Sequence, residues 1–156
     1  MRTSQSVEIA APAAVVFELV RDVTRWPELL SHYRRVTVLG RDAGRLIAQM
    51  VAVRAFGPLA LPVTWRAAQW SDASDATDLQ LHFRHVRGVT RGMAVTWHIR
   101  TRPNGAQVTI EHDFSRRLPL LGADWLPALV DRLFVRPIAG RTLATFKRLA
   151  ETTGSG

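Results

Sequence analysis

Two histidines are placed to do chemistry. His85 closes the stretch Leu79-Gln-Leu-His-Phe-Arg-His85 and His112 lies in Val108-Thr-Ile-Glu-His112. In an alternating strand each shares a face with Leu81 and Phe83, or with Val108 and Ile110. An imidazole titrates near neutral pH, so on such a face it can take a proton from carbon or return one to a leaving oxygen. A hydrogen-bonded structural histidine occupies the same kind of position. Tyr33, the only tyrosine, offers a phenol to a ligand carbonyl. Trp26, Trp65 and Trp97 serve either as core or as platforms for a flat ligand, with Phe83 and Met93 beside them. His82 and His98 alternate to the solvent face, and His32 sits at a helix end.

Other chemistries find no support. There is no cysteine, which removes disulfides, thiolate metal sites and cysteine nucleophiles. No Gly-x-Ser-x-Gly elbow and no phosphate-cradling glycine loop is present. His112 and Asp113 are adjacent and fall on opposite faces of one strand, so a metal set is not expected. No organic cofactor is expected either.

The elements that must position these groups follow from the periodicity. Ser4 to Ala10 alternates as a strand. Pro12 stops it and suits the first turn of a helix to about Asp22, and Thr24 is a candidate cap for a short helix through Trp26 to Leu30. The period then changes to two over Arg35–Leu39, Arg45–Ala55, Pro62–Ser71, Asp78–Val86, Met93–Thr101 and Ala106–Phe114. Their breaks are short, and one contains Asn104-Gly105, so the strands should form an antiparallel meander. The apolar connection Phe56-Gly-Pro-Leu-Ala-Leu-Pro62 is a candidate lid, a membrane or partner contact, or a loop folded on the core. After Pro119 the 3.6 period returns, marking a helix of about 25 residues from Ala123. Pro137 should kink it, and Gly140 should leave a gap over which a cavity persists. Trp125 lies near its start, to cover a pocket mouth or anchor the helix.

The 156 residues are 47% hydrophobic and 22% charged, the balance of one globular domain, here residues 1–151 with a flexible tail at 152–156. No segment approaches the roughly 20 apolar residues that span a bilayer, and no leader is apparent, so a cytoplasmic protein without stable membrane insertion is expected. The net charge is +8, and all but one of the 21 basic residues are arginine. They are scattered, with no basic run and no nucleic-acid motif, so a nucleic-acid partner is not expected.

The order of elements, together with Ile9-Ala-Ala-Pro12-Ala-Ala-Val-Val-Phe17, Asp22-Val-Thr-Arg-Trp26-Pro27-Glu-Leu-Leu30, Tyr33, Arg87-Gly-Val-Thr-Arg-Gly-Met93-Ala-Val-Thr-Trp97 and the closing helix, resembles the START-like (SRPBCC) superfamily. Within it the chain looks most like the polyketide cyclase/dehydrase group, over about residues 4–150. The resemblance implies an α+β helix-grip fold, a curved antiparallel sheet of six or seven strands wrapped around the long C-terminal helix and enclosing a deep pocket. Alternation then turns inward Val63, Trp65, Ala67 and Gln69; Leu79, Leu81, Phe83 and His85; Met93, Val95, Trp97 and Ile99; and Val108, Ile110, His112 and Phe114.

The resemblance also implies a function, aldol cyclisation and dehydration of a poly-β-ketone chain without metal or cofactor. Trp26, Tyr33, Trp65, Met93 and Trp97 match pocket positions of the aromatase/cyclases, and Phe83 and His112 complete the expected ligand-binding set. Where those enzymes favour a catalytic arginine, four residues after the middle-strand tryptophan, this chain has Gln69, a neutral amide in place of a permanent cation. The expected catalytic set is His85, Gln69 and Tyr33. The expected partners are a hydrophobic ligand or polyketide intermediate and an acyl carrier protein. The alternative is a non-catalytic lipid or quinone carrier like the coenzyme Q-binding relatives, and a third reading is a RatA-like ribosome contact.

Overall fold

The computed structural model describes residues 1–114 and 125–153. Seven strands, β1 (Arg2–Ile9), β2 (Tyr33–Asp42), β3 (Arg45–Phe56), β4 (Leu59–Asp72), β5 (Asp78–Gly88), β6 (Ala94–Arg102) and β7 (Gly105–Asp113), form one sheet in the order β1-β7-β6-β5-β4-β3-β2. Every neighbouring pair is antiparallel. Helix α1 (Ala13–Arg21), a 3₁₀ turn (Val23–Arg25) and α2 (Trp26–Leu29) follow β1, and a helical run from Leu126 to Thr153 follows β7. This is the expected helix-grip arrangement, with the sheet's alternating apolar face turned toward the helices.

Each run forms because burial follows its period. In β5 and β6, Leu81, Phe83, Val95, Trp97 and Ile99 are buried while Gln80, His82, Thr96 and His98 are only half-buried on the other face. Val16 and Val20 of α1, Leu30, Ile110 and Phe146 of the last helix complete the centre of the core. The last helix is tied to the edge strand β1 by polar contacts along its length. Lys147 Nζ donates to Glu8 O (2.7 Å), the Ala10 N–H to Glu151 Oε1 (3.1 Å), Gln5 Nε2 to Arg136 O (3.3 Å) and Thr3 Oγ1 to Asp131 Oδ1 (3.0 Å).

Several boundaries differ from the sequence reading. The Asp22 carboxylate, not Thr24, caps the turn, accepting from the Thr24 N–H at 3.1 Å. The apolar connection at residues 56–62 is no separate loop, because Phe56 pairs with Leu59 and the chain reverses at Gly57 and Pro58. Gly140 leaves no gap over a cavity; a Cβ there would stand 3.2 Å from Gln5 Oε1, so its lack of a side chain admits β1. The predicted helix start at Ala123 lies outside the described residues, as do 154–156 of the tail, while Thr152 and Thr153 are helical.

The long helix changes its winding in the middle. Between α3 (Leu126–Val130) and α4 (Arg136–Thr153), residues Asp131–Val135 form a π turn, and the Arg136 N–H reaches back to Asp131 O. Pro137 explains part of this, since it has no N–H to give to Leu133 O. That carbonyl accepts from Arg54 Nε of β3 at 2.9 Å instead.

Candidate functional site

His85 owes its setting to an irregularity at the end of β5. The β4–β5 ladder pairs Ala67 with His85 and then Arg66 with Arg87, leaving Val86 as an unpaired bulge. Gly88 comes next, at φ +101°, where a Cβ would stand 2.7 Å from Thr64 O, so only glycine fits. The chain then curls over itself: the His85 N–H donates to Met93 O (2.9 Å), and His85 O accepts from the Gly92 N–H (2.8 Å). This turn buries Thr90, whose Oγ1 is 2.6 Å from His85 Nδ1. The Thr90 hydroxyl can donate or accept, so it serves either tautomer and leaves Nε2 as the nitrogen available to a ligand. Trp65 stacks on the imidazole, with centroids 5.7 Å apart and planes within 5°.

Trp26 is the hub of the aromatic wall, with ring centroids 5.1 Å from Tyr33 and 5.7 Å from both Phe83 and Trp97. Its Nε1 donates to Val20 O at 3.0 Å, so the indole offers a ligand only its surface. Tyr33 is buried, with its hydroxyl toward Thr142, and burial pushes the phenol well above its ordinary range. It therefore remains a neutral donor.

His112 is buried on β7, and its Nδ1 has no hydrogen-bond partner among the described residues. Burial lowers its pKa to about 4, against an opposing pull from Asp131. Burial, and then the neighbouring His112, lower that of His85 to about 3. Both imidazoles are thus neutral at physiological pH. Asp131 is itself buried, and the π turn puts it where Thr3 Oγ1 and Arg136 Nε (2.6 Å) both donate to it.

These groups surround a cavity of about 80 Å³ between the sheet and the π turn. Every site residue expected from sequence lines it except Gln69: Trp26, Tyr33, Trp65, Phe83, His85, Met93, Trp97 and His112. Gln69 is buried further along β4, between Leu46 and Phe83 in the ladder, and is not part of the lining. The lining also includes Met50, Thr90, Val130, Val135 and Thr142. Among the described residues, no arginine, lysine or carboxylate lines the cavity.

Sequence reasoning missed a second polar group behind the wall. His32 is 2% exposed, and its Nε2 lies 2.8 Å from Thr142 Oγ1. Thr142 gives its one hydroxyl proton to Ile138 O (2.8 Å), so His32 must be the donor, protonated on Nε2 with a bare Nδ1. Burial and Arg141 lower its pKa to about 4. His32 and Thr142 are 110 residues apart, and no local pattern joins them.

A single antiparallel sheet gripping a long helix over an aromatic cavity defines a START-like helix-grip protein. Residues 9–134 match the family described as polyketide cyclase/dehydrase and lipid transport, and the chain belongs to that family. A Streptomyces cyaneus protein named "Putative polyketide cyclase" is 28% identical over 120 residues, 74% of this chain and 73% of that one. Among solved structures, the Zhui aromatase/cyclase from Streptomyces sp. R1128 superposes with a TM-score of 0.76 at 20% identity, covering 97% of this chain and 93% of that one. A START superfamily protein from Mycobacterium smegmatis superposes at 0.63 and 19% identity, covering 99% and 97%.

Proposed function

We propose that the protein binds a poly-β-ketone chain in the cavity and promotes its intramolecular aldol cyclisation and dehydration. The observation that carries this reading is a pair of buried, neutral imidazoles, His85 and His112, set in a largely apolar aromatic wall whose other polar groups are the hydroxyls of Tyr33, Thr90 and Thr142. Folding the chain against Trp65, Met93 and Trp97 brings donor carbon and acceptor carbonyl into contact, which supplies the largest effect. His85 Nε2 then removes the α proton, with Thr90 holding the other ring nitrogen, and the Tyr33 phenol turns its one proton from Thr142 to the acceptor carbonyl. His112, in the cavity wall on β7, helps orient the chain. A chain tethered to an acyl carrier protein reaches the same groups through the cavity mouth.

The lack of a permanent charge among the described lining residues, and the position of Gln69 outside the lining, favour a second reading, a carrier of an apolar quinone or lipid. Two measurements separate them. Protein purified from a heterologous host is extracted with organic solvent and the extract analysed by mass spectrometry; a quinone or lipid near one per chain supports the carrier. A synthetic poly-β-ketone thioester is then incubated with wild type, His85→Ala and Trp97→Ala. Cyclase chemistry requires a loss of about 10²-fold in His85→Ala and a changed product pattern in Trp97→Ala. Products identical to the uncatalysed mixture in all three rule it out.

A further inference from the structure

Arg87, Arg91 and Arg132, three of the arginines scattered through the sequence, lie with exposed apolar side chains at one end of the fold. The β4–β5 ladder sets Trp65 opposite Gly88, the last residue of β5. The β3–β4 hairpin therefore runs on from Trp65 to Leu59 beyond its neighbour, about 20 Å of extended chain. Phe56 at its tip meets Phe134 of the π turn edge-on at 5.8 Å, which brings the start of the long helix to the same end. The β5–β6 turn lies there too.

Each of these three elements holds a large apolar side chain out in solvent. Leu59 is 64% exposed, Val89 63% and Trp125 63%, with Leu61 and Leu129 beside them. Val89 also lines the cavity, so this rim is the cavity mouth. Arg87, Arg91 and Arg132 are exposed on the same segments. Across residues 56–62, 86–92 and 125–136 the one carboxylate is Asp131, which is 3% exposed and bonded to Arg136 and Thr3. The opposite end is mixed in sign, with Asp72, Asp75 and Asp78 around the β4–β5 turn and Arg41, Arg45 and Arg102 at the neighbouring turns.

We propose that this end docks peripherally onto an anionic lipid bilayer, with the cavity mouth at the level of the head groups. The arginines meet anionic phosphates, Trp125 suits the interfacial layer, and the leucines and Val89 enter the acyl region. A bilayer fits better than a protein surface because the apolar groups stand on separate elements around an opening. Fluid lipid fills the spaces between such tips without the shape match that a folded partner must supply. The docking is independent of the chemistry inside the cavity.

The test is co-sedimentation of the full chain with phosphatidylcholine vesicles, with and without about 30% phosphatidylglycerol. Binding to the anionic vesicles, weakening as salt rises, and at least about ten-fold weaker binding to neutral ones is the expected result. Leu59→Glu/Leu61→Glu alters only exposed positions, so it should keep the wild-type melting temperature and lose about ten-fold or more in vesicle affinity. Arg91→Gln/Arg132→Gln should lower binding to anionic vesicles alone. The proposal is overturned if neither vesicle binds, or if Leu59→Glu/Leu61→Glu binds like wild type. It is also overturned if the tip variants lose affinity for an acidic carrier protein while the wild type ignores vesicles.

Discussion

Mild acid should destabilise this fold through its buried histidines. His32, His85 and His112 have native pKa values of about 4, 3 and 4, while in the unfolded chain each titrates near 6.5. Between those values the unfolded chain binds protons that the native one does not, so stability rises with pH across that window and falls as pH drops through it. At about pH 5 each imidazole costs about 2 kcal/mol, or roughly 6 for the three if the fold does not relax around the charge. For a chain of this size each kcal/mol moves the melting temperature by about 2–4 °C, so a fall of about 12–24 °C between about pH 7 and pH 5 is expected. The groups facing the three rings set the balance: His112 opposes a charge on His85, Arg141 opposes one on His32, and Asp131 favours one on His112. Asp72, Asp75 and Glu151 are held below their ordinary pKa by hydrogen bonds, so they stay ionised throughout this range. Calorimetry or circular dichroism melts in a pH series measure the drop, with His85→Gln/His112→Gln expected to keep about a third of it. A wild-type melting temperature flat across the range, or a double variant with the full drop, would refute the reasoning.

Three further outcomes follow from single contacts. Gly88→Ala places a methyl 2.7 Å from Thr64 O at φ +101°, so it should cost more than about 1 kcal/mol in denaturant melts. Thr90→Val keeps the shape but removes the partner of His85 Nδ1, and cyclisation should fall at least about ten-fold with the melting temperature changed by only a few degrees. Asp131→Asn weakens the contacts to Arg136 and Thr3 and should cost about 1–3 kcal/mol. It also removes the group that holds His112 up, so the His112 pKa measured by NMR should fall further.

The strands were legible because half-burial writes itself into alternation. The inward assignment from Val63 to Phe114 holds at each position, since one face of that sheet packs on the helices. That alternation also gathered the aromatic wall and both cavity histidines. It could not tell how far along a strand the cavity extends, which is why Gln69 has the right face but the wrong end. The turn that brings Thr90 onto His85 depends on a bulge at Val86, and a one-residue bulge leaves little trace in composition. Its nearest signal is the glycine pair Gly88 and Gly92. The contact of His32 with Thr142 and the tie of Asp131 to Thr3 arise only when β1, the α2–β2 junction and the last helix meet. The pairing of arginines with exposed apolar side chains at the mouth was hidden for the same reason, its segments being spread from residue 56 to residue 136.

The π turn has one more consequence. It adds a residue to a helix without adding a turn, so the parts before and after Asp131–Val135 are phased differently, by about 100°. Downstream, Phe146 and Ala150 keep step with the sheet; upstream, Val130 faces the cavity. Deleting one residue within the turn would remove the extra residue, leaving Pro137 as the one break in the hydrogen-bond ladder, and would rotate the cavity-facing part while the gripped part stayed in place. The helix is in effect two gears on one axle, and the pocket wall can be re-indexed in sequence space without disturbing the part that the sheet holds.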